Sequence, residues 1–192
     1  MSTADGPPHI DLRRLRNVLG QFCTGVTVIA TLDARGEPVG FACQSFAALS
    51  LEPPLVLFCP TRGSRVRLAV ERAGKFCVNI LSEQQGHVCA RFGSREPDKF
   101  AGIGWRLSDL DLPLLNDSLA AIQCAVANVV DGGDHVIVIG RVLTLDESTD
   151  SGRPLLFYRG QYAAIESDTR VPASWRADLE HFLTTTTLDM WL

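Results

Sequence analysis

At 192 residues, with 46% hydrophobic and 21% charged side chains, the chain has the composition of one globular domain. That length buries roughly 70% of the unfolded surface. A net charge of −4 argues against a nucleic-acid or anionic-membrane surface, either of which needs a basic stripe. The chain shows no basic, apolar opening and no apolar run near the roughly eighteen residues of a membrane span, so a soluble, cytoplasmic protein is expected.

Residues 1–10, with Gly6-Pro7-Pro8, read as a loose leader ahead of a domain over 11–166. Asp11 is placed to cap a helix whose apolar positions Leu12, Leu15, Val18, Leu19 and Phe22 recur at helical spacing, with Gly25 as its stop. Residues 26–32 alternate as a strand, 33–38 form a turn, and 39–44 return as a second strand. Pro53-Pro54 opens a third strand over 55–59. Ser64 caps a short helix to Ala73, and Gly74 stops it. A fourth strand covers 75–81, and the capping-box spacing of Ser82 and Gln85 predicts a helix over 83–92.

Residues 93–105 are loop-rich, whereas 120–130 and 135–145 are the longest alternating runs. They flank Asp131-Gly132-Gly133-Asp134, a hairpin turn whose glycines supply positive φ. A second hairpin joins 155–158 to 162–165 through Arg159-Gly160-Gln161. The tail, 167–192, allows a helix over 175–182 and ends on Met190-Trp191-Leu192, an apolar close expected to dock on the barrel or on a dimer partner. Seven or eight mostly antiparallel strands with short outer helices predict a mainly β (α+β) fold, a small barrel, because closure removes sheet edges.

Cys23, Cys43, Cys59, Cys77, Cys89 and Cys124 stand singly among apolar neighbours and read as reduced thiols. Four scattered histidines offer no ligand spacing, so no metal is expected. A Gly-x-Gly-x-x-Gly after a strand, a P-loop and a Gly-x-Ser-x-Gly elbow are all absent. A chain without a triad fits an organic cofactor that brings its own reactivity.

Several weak signals point that way together. Gly40 and Ala42 leave one strand face low enough for a flat ring, with Gln44 and Ser45 beside it; a barrel taper needing small residues explains them equally. Thr61, Arg62, Ser64 and Arg65 surround a helix start, where orphan amides and hydroxyls favour a phosphate. Arg91-Phe92 offers a further cation and a ring, His135 stands at a hairpin rim, and Tyr158-Arg159 presents an aromatic and a guanidinium. Each of these also has a plain reading as a capped helix, a solvated charge or a turn residue.

In order along the chain, GVTVIAT, VGFACQSFAALSLEPPLVLFCPT, KFCVNIL, RFG, GGDH and RPLLFYRGQY resemble the short-chain flavin reductase family, which has the FMN-binding split-barrel fold. FACQSF, FGSREPDKFAGI and TTTTLDMWL are similar to reductase components of actinobacterial monooxygenases that hydroxylate a secosteroid phenol in cholesterol-ring degradation. The resemblance implies an antiparallel split barrel and a homodimer that binds FMN or FAD and reduces it with NADH. It also implies a separate oxygenase component, reached at least by diffusion of reduced flavin. By carry-over, Ala42, Cys43, Gln44 and Ser45 line the isoalloxazine, and Cys59, Thr61, Ser64 and Arg91 hold ribityl and phosphate. Phe92 packs on the flavin, while His135, Tyr158 and Arg159 meet NADH. Gln44 stands where many relatives carry Asn, and Arg62 where they carry Lys. A reductase for another aromatic or polyketide hydroxylase, or a non-catalytic flavin- or haem-binding barrel, stays open at this point.

Overall fold

The computed structural model describes residues 10–148 and 152–165; all of the expected 1–10 leader but Ile10, the expected 167–192 tail and the helix expected at 175–182 lie outside them. Its centre is β2 (Thr27–Leu32), buried along almost its whole length because both of its faces meet apolar layers. Val28 and Ala30 point to one cluster with Leu81, Phe92 and Phe100, while Ile29 joins Phe58, Phe76 and Val138 in another. β2 pairs with β3 (Pro38–Cys43) on one side and β6 (Lys75–Ile80) on the other, all antiparallel. From β6 the sheet continues through β9 (Ala120–Gly132), β10 (His135–Glu147), β5 (Pro54–Phe58) and β4 (Ala47–Leu51), giving the order β3-β2-β6-β9-β10-β5-β4.

That order forces curvature. A flat seven-stranded sheet holds its outer strands about 29 Å apart at the usual ~4.8 Å spacing. Yet β3 and β4 are joined only through Gln44, Ser45 and Phe46, four Cα steps that reach at most about 15 Å. The sheet therefore rolls until its unpaired ends meet at the link, which makes a split barrel. β-Bulges in the β9–β10 pair, at Ile139/Gly140 and Val142/Thr144, sharpen the bend. Gly140 is required at the first of these, since a Cβ there would lie 2.3 Å from Phe76 Cζ.

Helix α1 (Leu12–Leu19) is capped by Asp11, whose Oδ1 accepts from the Arg13 amide at 2.8 Å. It ends at Gly20 rather than at Gly25, which instead pairs within β1 (Thr24–Gly25). Helix α2 (Arg65–Ala73) closes at Gly74 with φ +67, as expected. The helix expected over 83–92 is a 3-10 turn (Glu83–Gln85) followed by α3 (Gly86–Gly93). Four elements had no counterpart in the sequence reading: β1, β4, and the small hairpin of β7 (Trp105–Leu107) with β8 (Pro113–Leu115). Asn79, fully buried on β6, anchors that hairpin by accepting from the Leu115 amide at 2.8 Å and donating to the Pro113 carbonyl. Finally, β11 (Leu156–Tyr158) and β12 (Gln161–Ala163) form a three-stranded sheet with β1. No helix among the described residues is long and apolar enough to cross a membrane.

Candidate functional site

Where the rolled sheet meets itself, a cleft of about 660 Å³ opens. The end of β3 and its link supply Ala42, Cys43, Gln44 and Ser45; the end of β5 supplies Cys59 and Pro60; the approach to α2 supplies Thr61 and Ser64; the start of β10 supplies His135. The structure thus brings together eight residues that the sequence analysis singled out from four separate segments. Phe41 and Pro60 also line the cleft and were not singled out. No signal marked Phe41, because alternation sets it on the opposite strand face from Gly40 and Ala42.

Hydrogen bonds hold the walls. Ser45 Oγ accepts from the Cys59 amide at 2.9 Å and donates to the Cys59 carbonyl at 3.2 Å, which pins the β3–β4 link to the end of β5. The Cys43 Sγ lies 3.3 Å from the same hydroxyl. Cys43 is buried, and that burial pushes its thiol above the ordinary value. Ser64 caps α2, its Oγ accepting from the Arg67 amide at 3.3 Å.

The β9–β10 hairpin is clamped to the same region. The Arg62 amide donates to the Asp134 carbonyl at 3.1 Å, and the Val136 amide to the Pro60 carbonyl at 3.0 Å. The Arg62 guanidinium spans to the Gly133 carbonyl and the Asp131 carboxylate. Gly133, with φ +84, makes the turn. His135 then stands half-exposed at the rim with its Nδ1 2.7 Å from Asp134 Oδ1. A carboxylate on Nδ1 leaves Nε2 as the nitrogen free to meet a ligand. The hydrogen bond from His135 holds the Asp134 carboxyl below the usual range, and the Gly133 amide followed by Arg62 does the same for Asp131. Asp134 was assigned no role from the sequence, the Gly-Gly-Asp-His run being the available signal, and Arg62, grouped there with the phosphate seat, is engaged by the hairpin instead.

Four residues that the resemblance assigned to flavin or NADH lie elsewhere. Phe92 is fully buried, its ring edge-on to Phe100 at 4.9 Å between centroids and against Gly40, where an added Cβ would lie 2.9 Å from it. It supports β3 from behind and does not face the cleft, because α3 turns this position into the core. Arg91 points away to the Ala101 carbonyl at 3.2 Å. Tyr158 and Arg159 are drawn to the end of α1: Arg159 Nε donates to Gln21 Oε1 at 2.9 Å and its amide to the Gly20 carbonyl at 3.1 Å. Within this chain neither lines the cleft that holds His135. Among the described residues no three His, Cys, Asp or Glu side chains gather as a metal site.

The cleft's chemistry suits a flat ring carrying an anionic tail. Its lining contains no Asp or Glu, its floor is low at Ala42, and hydroxyls and amides cluster at the start of α2. Residues 19–166 match the flavin reductase like domain. The chain belongs to that family, an oxidoreductase with the split-barrel fold of flavin reductases.

Among its relatives is the flavin-dependent monooxygenase reductase subunit HsaB of Rhodococcus jostii, 65% identical over 183 residues, which cover 95% of this chain and 93% of that protein. The crystal structure of a nitrilotriacetate monooxygenase component B homologue from Mycobacterium thermoresistibile is 64% identical; it superposes with a TM-score of 0.82, covering 90% of this chain and 97% of that one. The Streptomyces globisporus NADH:FAD oxidoreductase SgcE6, solved with NAD and FAD fragments, is 31% identical with a TM-score of 0.78, covering 83% of this chain and 96% of that one.

Proposed function

We propose that this protein reduces free flavin with NADH and hands the reduced flavin to a separate oxygenase. The observation that carries this reading is the carboxylate-free cleft at the barrel split, with a small-residue wall on one side and His135 on the other. Ala42 and the Gln44 amide are assigned to the ring, and the Thr61 and Ser64 hydroxyls to the phosphate. Cys43 and Ser45 contribute chiefly by fixing the wall, since the Ser45 hydroxyl is already engaged with Cys59.

When bound, the flavin supplies the two-electron acceptor for NADH. The chain's own residues orient and hold: His135 offers Nε2 to the nicotinamide dinucleotide, and Asp134 fixes the ring of His135 in that pose. Bringing donor and acceptor to about 3–3.5 Å is the catalytic contribution asked of the protein. The absence of a carboxylate in the cleft favours negative charge arising there.

The substrate of the oxygenase is proposed to be a phenol, with the secosteroid phenol of cholesterol-ring degradation as its particular form. Support comes from the FACQSF and FGSREPDKFAGI segments and from 65% identity to a protein named HsaB. A homodimer in the cytoplasm is part of the same reading. Its support is the unpartnered face of α1, which buries none of its own residues and leaves Leu12, Val18, Leu19 and the following Phe22 at 61–77% exposure.

The test is NADH consumption by the purified full chain with FMN, FAD or no flavin added. Turnover that requires added flavin and saturates at micromolar levels supports the reading. Flavin binding without NADH consumption reduces the protein to a binding module and removes the role given to His135.

A further inference from the structure

Beyond the cleft a second cavity, of about 670 Å³, runs between α2, the β2–β3 turn and the segment after α3. Phe41 and Ser64 line both, so the two adjoin there. The second cavity differs from the first in charge. Arg35, Arg65, Arg72 and Lys99 contribute cations to its wall, against the carboxylates of Asp33 and Glu96. Asp33 is already engaged by the amides of Arg35 and Glu37 and by the Arg35 guanidinium.

Arg65 and Lys99 line the same cavity, where burial and then the neighbouring Arg65 charge lower the Lys99 ammonium from its ordinary value, and among the described residues no carboxylate forms an ion pair with either. Lys99 is half-buried and spends one N–H on the Phe92 carbonyl at 2.7 Å, leaving two donors. Arg65 follows the cap Ser64 and so stands at the positive end of α2. Holding two cations together without a counter-charge is unfavourable, and an anion placed between them relieves it.

The position of the pair selects the anion. In the proposed reading the hydroxyls of Thr61 and Ser64 take the first phosphate of the flavin, where FMN ends. A phosphate lying past Ser64 exists only in the dinucleotide. Phe41, Leu68 and Pro97 give the same cavity apolar surface for a base. Resting on that reading of the cleft, we infer that Arg65 and Lys99 hold the distal phosphate of FAD, that the cavity past Ser64 takes its adenylate arm, and that the protein therefore prefers FAD to FMN.

Fluorescence titration of the full chain with riboflavin, FMN and FAD tests this, using the native protein and the variants Arg65→Gln and Lys99→Met. The expected result is FAD binding about tenfold tighter than FMN in the native protein, one charge-assisted phosphate contact being of that order. Each variant should lose most of that preference while riboflavin and FMN affinities change by less than about twofold. Unchanged riboflavin binding also reports that the variants are folded. Equal loss for FMN and FAD places the pair on the first phosphate and overturns the inference. So does unchanged FAD binding with a raised KM for NADH, which moves the cavity to the nicotinamide dinucleotide. A native protein that binds riboflavin but shows no preference for FAD defeats the inference alone, whereas one that binds none of the three defeats the reading of the cleft as well.

Discussion

Ser45 Oγ and the main chain of Cys59 exchange two hydrogen bonds, at 2.9 and 3.2 Å, in the register that continues the β4–β5 pairing beside the split in the barrel. This contact pins the link between β3 and β4, the two edge strands of the seven-stranded sheet, to the end of β5. Ser45→Ala removes both bonds and leaves the Cys59 amide to water. The expected cost is about 1 kcal/mol, or about 2–4 °C in Tm for a chain of this size. Flavin affinity should fall with it, because the link also carries Ala42 and Gln44. A calorimetric Tm and a flavin titration on the same variant check both; a Tm unchanged with full flavin affinity would remove the assigned role.

His135→Ala should raise KM for NADH by about tenfold, the equivalent of about 1.4 kcal/mol, while the flavin Kd stays within about twofold. Asp134→Asn should move KM in the same direction by less, since the imidazole remains but loses the carboxylate that orients it. Loss of flavin binding in parallel with NADH use would refute the separation of roles between rim and wall.

The hairpin acids carry a pH signature. Asp131 and Asp134 are both held below their ordinary value of 3.8 in the folded protein, by hydrogen bonds from Gly133 and His135 respectively. A depressed folded-state pKa contributes stability that is present above the unfolded value and is lost as pH falls through the folded one. Thermal melts should therefore lose this contribution only below about pH 4. In the Asp131→Asn, Asp134→Asn double variant the acid limb should be shallower. An identical limb in native and variant proteins would show that the hairpin does not sense pH.

Gly140→Ala tests the barrel's closest approach. A Cβ there would meet Phe76 Cζ at 2.3 Å and Cys124 Cβ at 3.0 Å, and Phe76 is fully buried against Phe58. Overpacking of this kind costs about 1–3 kcal/mol. Adding Phe76→Leu should recover part of it, since the shorter side chain vacates the clash. Chemical denaturation of the single and double variants gives the comparison, and a double variant less stable than the sum of its parts would place the strain elsewhere.

Thiol labelling should follow exposure. Cys23 is exposed and Cys59 is half-buried in the cleft wall, whereas Cys43, Cys77, Cys89 and Cys124 are buried. Burial further pushes Cys124 up to about 12, which leaves almost no thiolate. Brief alkylation of the native protein, read by mass spectrometry, should mark Cys23 first and Cys59 second. Added FAD should protect Cys59 alone. Protection of Cys23, or none at either, would separate the cleft from the flavin.

Much of this was readable from residue order, and the exceptions have physical causes. β2, β6, β9 and β10 announced themselves by alternation or by continuous apolar runs. β4 did not, because it is an edge strand, largely exposed, and an irregularity at Ala48/Ser50 breaks its period. β7 and β8 are three residues each and offer no window for a pattern. At the site, Ala42 to Ser45, the approach to α2 and the Gly-Gly-Asp-His turn could be named but not joined. Arg62 joins the turn to the loop after β5, a long-range contact that no local pattern encodes. Arg91 and Phe92 failed as wall residues through helix phase: the turn that sets Phe92 on Phe100 also sends Arg91 toward Ala101. Tyr158 and Arg159 were captured by Gln21, a partner 137 and 138 positions away.

The cleft is assembled from the tips of strands and not from their middles, with Gln44, Thr61 and His135 outside the clusters that flank β2. Substitution at those tips leaves the interior packing untouched. Grip on a passing flavin can thus drift over generations without endangering the scaffold, and a lineage can match its reductase to a new oxygenase by trading a few rim side chains.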